Sequence, residues 1–265
     1  MKKGKRIQRV IVITGASHGI GLAAKNYFEK RGDIVYDISR TSGTDISNPE
    51  QVRAAFEQIH AKHGHIEVLV NNAGFGIIGS AECTSLADIK KLFNVNFFGM
   101  ATCCSAVLPY MRQIVTPGRK PMIINISSVA GGVYSLPFQA FYSASKAAVS
   151  AYTGAIRTEL KPHKVNAVTV QLGDVKTDFT ASRKKNTDDD PAYKYRCDRA
   201  IERYELWEKN GYKPQFIARK LYKLSRKKNP PPVVTFGPLF KFLVFLRRIA
   251  PQRLANWVVG KMYGQ

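Results

Sequence analysis

Tyr142 and Lys146 stand four residues apart in the stretch YSASK, within the longer run LPFQAFYSASKAAVSAYTGAIRTEL. On a helix this spacing stacks the two side chains on one face. Their neighbours Ser143, Ala144, Ser145, Ala147 and Ala148 are all small. A phenol beside an ammonium is a proton-transfer pair. Tyrosine titrates near 10 in water and is a poor base at neutral pH, but a cation one turn away favours the phenolate. Lowering the phenol by about 3 units takes about 4 kcal/mol of differential interaction. A partly desolvated ammonium a few ångströms away can supply that, and an exposed one cannot. Spacing alone does not single the pair out, because Tyr27–Arg31, Tyr36–Arg40, Tyr195–Arg199 and Tyr222–Arg226 repeat it. The surrounding motifs have to decide.

A second group of residues suits anion binding. TGASHGIG, residues 14–21, follows a β-branched run and opens a helical pattern. Gly15, Gly19 and Gly21 permit a tight turn and a close backbone approach, while Ser17, His18 and Ile20 lie along the same turn. The helix that follows would offer unpaired N–H groups and the positive end of its dipole to a pyrophosphate. That strand–turn–helix context is what a dinucleotide site requires.

The elements that would position these groups alternate regularly. RVIVITG reads as a buried strand, HGIGLAAKNYFEKRG as a helix stopping at Gly32, and DIVYDIS as a second strand. NPEQVRAAFEQIHAKHG is a helix with Asn48 as its cap and Pro49 in first position. IEVLVNNAG, PMIINISS and KVNAVTVQLG are further strands, separated by one long helix from Ser85 and another over about Tyr142–His163. Strands alternating with helices of this length predict an α/β fold: a doubly wound parallel sheet covered on both faces. No linker or repeat interrupts the first 177 residues, so residues 1–265 are expected to form a single domain. Residues 178–230 are charged and turn-rich, then helical through AIERYELWEKN. A solvated excursion and a mobile lid over a site both fit that segment.

Bulk properties narrow the class. The 265 residues are 45% hydrophobic and 23% charged, as in ordinary soluble domains. The 41 basic against 19 acidic residues give +22, which favours anionic ligands or surfaces. Lys2, Lys3, Lys5, Arg6 and Arg9 open the chain, and residues 230–265 carry five basic residues and no acidic one. Cys83, Cys103, Cys104 and Cys197 show no paired spacing, consistent with reduced thiols in a cytoplasmic protein. HAKHGH brings His60, His63 and His65 together without partner ligands, so no metal is expected. The basic start and short apolar run resemble a signal peptide only faintly and lead straight into the glycine turn. No uninterrupted apolar run has the length to span a bilayer.

Taken in order, TGASHGIG, NNAG (71–74), NVNFFG (94–99), NISSVAG (125–131), YSASK and LGDVKT (172–177) resemble the short-chain dehydrogenase/reductase family, in its compact single-domain branch. The resemblance runs from about Val10 to Thr177 and implies a Rossmann-like fold, a nicotinamide cofactor, and alcohol–carbonyl interconversion. It assigns Tyr142 as acid/base and Lys146 as its activator and ribose-hydroxyl ligand. Ser128, fourteen residues before Tyr142, would hold the substrate oxygen, with Ser127 as an alternative. Asn96 would position a water linking Lys146 to solvent, while Asn72, Ala73 and Gly74 would brace sheet and cofactor. Asp45 and Ile46 match the adenine-contacting pair, and Gly173, Val175 and Thr177 keep the spacing that binds the carboxamide.

Two features depart from the family pattern. Only RTSGT separates the second strand from DIS, so the usual third strand must be short or absent, and Leu172–Gly173 replaces the customary Pro-Gly. At the end of the second strand, Ser39 and Arg40 in place of a carboxylate, together with His18, point to NADP(H) rather than NAD(H).

The C-terminal run LFKFLVFLRRIA, within a tail over residues 237–265, is apolar on most sides with basic residues toward its end. It fits a helix packed over the substrate cleft, or an interfacial helix docking peripherally on an anionic membrane. Either reading favours an apolar alcohol or ketone of steroid or lipid type. SVAG, LPFQAFY and GDVKTDF are also similar to stretches of hydroxysteroid dehydrogenases. A non-catalytic NADP-binding sensor remains the alternative function. A homodimer or homotetramer, formed through the long helices, is usual in the family. No motif suggests specific nucleic-acid binding.

Overall fold

The computed structural model describes residues 8–114, 120–179, 183–185 and 190–263. Lys2, Lys3, Lys5 and Arg6 lie outside them. The chain runs β1 (Val10–Thr14), α1 (Gly19–Glu29), β2 (Ile34–Ile38), α2 (Pro49–His63), β3 (Val68–Asn71), β4 (Ile77–Ile78), α3 (Leu86–Phe93) and α4 (Met100–Met111). It continues through β5 (Met122–Ser128), α5 (Val129–Gly132), α6 (Ala140–Glu159), β6 (Asn166–Leu172), β7 (Lys184–Lys185), α7 (Pro191–Lys209), α8 (Pro214–Leu224), β8 (Val233–Thr235), α9 (Pro238–Ile249) and α10 (Gln252–Tyr263).

Six strands pair in parallel in the order β2-β1-β3-β5-β6-β8. Every residue of β1 is buried, as a parallel strand covered on both faces requires. Its side chains alternate between two cores. Val10 and Val12 pack with Phe56 of α2, Val107 of α4 and Ile156 of α6. Ile11 and Ile13 pack with Phe28 of α1 and Leu221 of α8 on the opposite face. Strand order reverses at β1, which lies between β2 and β3, and such a switch point opens a crevice beyond the carboxyl ends of the strands. Thr14, Asn71, Ser128 and Leu172 end their strands at that edge.

Local signals set most boundaries. Asn48 Oδ1 accepts from Glu50 N and Gln51 N at 3.0 Å each, Pro49 opens α2, and Gly64 at φ +72° ends it. Residues 39–48 hold only a 3-10 turn, Arg40–Ser42, and no strand, so β2 is the sheet edge.

The structure departs from expectation in four places. The long helix from Ser85 is not regular, because a π-helical segment, Asn94–Gly99, joins α3 to α4. The whole span Leu86–Met111 is long and apolar enough to cross a membrane, which a search for uninterrupted apolar runs overlooks. Here Leu92, Met100, Cys103 and Val107 bury it in the core instead. α7 begins at Pro191, well before AIERYELWEKN, because Asp190 caps it by accepting from Ala192 N at 2.8 Å. The tail divides at Ala250, which is extended (φ −75°, ψ 134°) as the residue before Pro251 must be.

Candidate active site

The crevice at the strand ends is a cleft of ≈ 950 Å³. The glycine turn forms one wall. Gly15 (φ +67°) and Gly19 (φ +52°) take backbone conformations that side chains disfavour. A Cβ on Gly21 would fall 2.1 Å from the Gly15 carbonyl oxygen, so nothing larger than glycine lets the turn close. His18 stands at the N-cap of α1 with no side-chain hydrogen bond to the helix, its Nδ1 meeting Ser17 Oγ at 3.0 Å instead, and Ser17, Gly19 and Ile20 line the cleft beside it. The first-turn N–H groups of α1 are therefore available to an anion. Asn72 Nδ2 locks the turn by donating to the carbonyls of Thr14 and Gly15 at 3.1 Å each. Ala73 and Gly74 continue the wall. These features fit the pyrophosphate of a dinucleotide.

The adenosine end is built around β2. Asp37 Oδ1 accepts from Ala16 N at 2.8 Å and Oδ2 from Ser39 Oγ at 2.9 Å, so this carboxylate braces the turn. Arg40 lies exposed at the rim, with His18 across from it in the same cleft. Asp45 Oδ1 accepts from Ser47 Oγ and N, which hold its pKa below the usual carboxylate value, and Ile46 beside it is buried. On the opposite wall Gly173, Val175 and Thr177 line the cleft, and Thr177 closes over Gly19.

Tyr142 and Lys146 enter at the centre from α6. Lys146 is 5% exposed, donates from Nζ to Ile126 O at 3.0 Å, and lies 5.9 Å from the Tyr142 ring centroid. Burial lowers its pKa to about 8. Burial raises the Tyr142 pKa, Arg183 and a hydrogen bond with Ser128 oppose the rise, and Asp174 adds to it. Both serines line the cleft: Ser127 Oγ donates to Lys146 O at 2.8 Å and meets Ser150 Oγ at 2.9 Å, whereas Ser128 Oγ donates to Leu172 O at 3.3 Å, accepts from Ala130 N at 3.1 Å and lies beside Tyr142.

Asn96 and Gly21 lie behind the lining. Asn96 sits in the π segment, where Oδ1 accepts from Phe75 N and Nδ2 donates to Phe75 O and Ser145 Oγ, at 3.0 to 3.1 Å. A Cβ on Gly74 would come within 2.9 Å of Asn96 Oδ1 and 3.5 Å of Lys146 Nζ. The π distortion thus delivers Asn96 to the back of the lysine site.

The other tyrosine–basic pairs form no comparable site. Arg31 and Arg199 donate to Tyr27 and Tyr195 at exposed positions, while Tyr36 pairs through its hydroxyl with His63 Nε2 at 2.7 Å. His60 stacks on Tyr110 at 4.3 Å and His65 lies 3.5 Å from Glu67, so the three histidines do not converge. The four cysteines are free thiols, and burial holds Cys104 up at about 12.

A short chain dehydrogenase family model matches residues 38–188. The chain belongs to the short-chain dehydrogenase/reductase family. It is 38% identical over 247 residues to a 3-ketodihydrosphingosine reductase of Bacteroides thetaiotaomicron, covering 89% of this chain and 90% of that protein. The fold superposes with a TM-score of 0.82 on a short-chain dehydrogenase from Streptomyces avermitilis, at 23% identity and covering 97% of each chain. A 3-ketoacyl-(acyl-carrier-protein) reductase from Brucella melitensis, solved with NADH, matches with a TM-score of 0.70 at 25% identity, covering 86% of this chain and 97% of that one. The protein is therefore an oxidoreductase acting on CH–OH groups with a nicotinamide cofactor.

Sequence reasoning missed Asp174, Gln139, Arg183 and Glu208, which line the end of the cleft beyond Tyr142. Arg183 Nη2 donates to Glu208 Oε1, joining the segment after Thr177 to the end of α7. Asp174 lay within a quoted motif and was passed over. Gln139 likewise lay within the quoted LPFQAFY, whereas Arg183 and Glu208 carry no sequence signal, because only the tertiary fold brings them to the site.

Proposed function

We propose that the protein is an NADP(H)-dependent reductase of apolar, lipid-like ketones, working through Tyr142 as acid/base. The carrying observation is half-buried Tyr142 beside buried Ser128 and Lys146 at the centre of the cleft, with the start of α1 on one side. Bound nicotinamide would supply or accept the hydride. Ser128 then holds the substrate oxygen, and Tyr142 gives it a proton in reduction or takes one in oxidation. Lys146, desolvated and fixed on the Ile126 carbonyl, adds positive charge and lies where ribose hydroxyls would meet it. Asn96 holds the backbone behind that ammonium, a position suited to relaying protons through water.

The NADP(H) preference is supported by Asp37, which is already bonded to Ala16 N and Ser39, and by Arg40, which is free at the rim. The lipid-like substrate is supported by the name of the Bacteroides relative and by the tail. α9 and α10 both pack at the substrate end, Phe240 against Val129 and Val133, and Met262 in the cluster of Ile78 and Tyr204. Their outer faces leave Leu239, Phe242, Phe245, Ile249, Leu254 and Trp257 exposed among Lys241, Arg247, Arg248 and Arg253, with no acid. In this reading α9 packs behind the cleft wall through Phe240, and the tail's outer side suits an anionic bilayer surface from which such a ketone could enter.

Tyr142→Phe tests the reading. NADPH-dependent ketone reduction should fall at least a hundredfold, while NADPH binding changes by no more than about twofold. A variant within tenfold of the wild-type kcat would refute it and favour a binding role without catalysis.

A further inference from the structure

The positive charge of the chain gathers at the end of the fold away from the cleft. Because the six strands are parallel, the stretches that precede them all open on one edge of the sheet, opposite the strand ends that line the cleft. They abut there: Gln8 Nε2 donates to Gly32 O at 3.2 Å, Met122 N to Glu67 O at 2.9 Å, Asn166 N to Pro121 O at 2.8 Å, and Lys120 Nζ to Asn229 Oδ1 at 3.3 Å. Five spacings between neighbouring strands make this edge about 24 Å long. Residues 30–33, 62–67, 120–121, 160–165 and 225–232 carry nine exposed lysines and arginines, among them Arg31, Lys62, Lys164, Lys227 and Lys228. The two acids of these stretches are already engaged: Asp33 pairs with Arg9 at 2.5 Å, and Glu67, buried, accepts from Val10 N at 2.6 Å.

A simpler account is that these cations serve helix ends. Helices α1, α2, α4, α6 and α8 all finish at this edge, each with about half a negative charge at its terminus. Glu29 and Glu159, which close α1 and α6, bring the total to about −4.5, set against nine cations. About half of the positive charge is left unmatched.

The surroundings narrow the partner. A protein interface needs an apolar centre, yet Ile66, Leu160 and Val165 of these stretches are all buried. The bilayer surface proposed for the tail lies at the other edge, since Phe240 of α9 packs against Val129 and Val133 beyond the carboxyl end of β5. A phosphate backbone needs neither apolar anchors nor a pocket, only a row of cations.

We propose that this amino-terminal edge of the sheet is a nucleic-acid site that grips the phosphate backbone irrespective of sequence, with Arg31, Lys161, Lys164, Lys227 and Lys228 among its cations. It goes beyond the reductase reading and does not depend on it. The two sites lie at opposite ends of the strands, so cofactor and nucleic acid can be held together.

The test is fluorescence anisotropy of the full chain with a labelled duplex of about 20 base pairs at about 150 mM salt. Reversing Lys161, Lys164, Lys227 and Lys228 together to glutamate should weaken binding at least thirtyfold. It should also lower the slope of log K against log salt by about 3. The same four reversals at Lys194, Lys209, Lys213 and Lys241, exposed on α7, before α8 and on α9, should weaken it no more than fivefold. Equal losses in the two variants would mean that net charge alone binds the duplex, and would overturn the site. So would a wild type that fails to bind at that salt, or displacement of the duplex by NADPH, which would put it in the cleft. A basic-edge variant that keeps the duplex but loses anionic vesicles would give the edge to lipid instead. Lysine acetylation of the wild type with and without duplex needs no variant. Protection of Lys161, Lys164, Lys227 and Lys228 would support the site, and protection confined to Lys194, Lys209, Lys213 and Lys241 would overturn it.

Discussion

Replacing Lys146 by methionine should make the unliganded protein more stable at neutral pH while abolishing its chemistry. Lys146 is buried, and desolvation lowers its pKa from 10.5 to about 8. At 1.36 kcal/mol per unit, keeping the ammonium charged in the folded state at pH 7 costs about 3 kcal/mol relative to the unfolded chain. Lys146→Met removes that cost with a side chain of similar length and loses the hydrogen bond to Ile126 O, worth about 1 kcal/mol. The expected net gain is about 2 kcal/mol at pH 7. Between about 8 and 10.5 the unfolded lysine holds more proton than the folded one, so wild-type stability should rise with pH relative to the variant. Above that window the gain from the substitution disappears. Urea unfolding of both proteins at intervals from pH 7 to 10 measures this, and taking the difference cancels groups common to both. A variant less stable than wild type at pH 7, or a wild-type disadvantage that does not shrink on raising the pH, would refute the claim that the site holds a desolvated cation.

Gly131→Ala would place a Cβ 2.4 Å from Ala147 N and 2.5 Å from the Lys146 carbonyl carbon, forcing α6 off β5. A loss of about 1–3 kcal/mol is expected by urea unfolding, with kcat down more than tenfold because Tyr142 and Lys146 move together; wild-type activity would show that the helix tolerates the shift. Arg40→Asp should raise KM for NADPH at least tenfold and narrow its advantage over NADH, whereas an unchanged ratio would remove Arg40 from cofactor choice. Flotation with vesicles containing anionic lipid should recover the wild type and several-fold less of a Phe242→Ser, Phe245→Ser, Ile249→Ser triple variant, and equal recovery would argue against the bilayer surface.

The parts of the molecule built by short-range rules were legible in the chain. Asn48–Pro49 and Gly64 bound α2, β-branched runs gave the buried strands, and the glycine turn announced an anion site, because each depends on residues within a few positions. Asp190–Pro191 carried the same capping signal and was overlooked amid surrounding charge. The π segment was not legible, because the distortion follows from Asn96 bonding to Phe75 and Ser145, 21 and 49 residues away. Arg183 and Glu208 were invisible for the same reason, since their pairing is decided by where α7 crosses the cleft.

The same distinction bears on how the tyrosine could work. Sequence placed one cation a helical turn from the phenol, to act together with the charge of an oxidised nicotinamide. In the fold that lysine is desolvated and bound to a carbonyl, and the phenol's pKa is raised by burial, with Arg183 rather than Lys146 foremost among the groups opposing the rise. A half-buried phenol that keeps its proton and a buried ammonium that loses one readily are suited to ligands that bring charge: positive charge beside the phenol, and hydroxyl or phosphate oxygens beside the ammonium. An unliganded site with a raised phenol and a lowered lysine would therefore be quiescent until a cofactor enters. Proton transfer would then be coupled to occupancy of the glycine turn rather than to the pH of the medium.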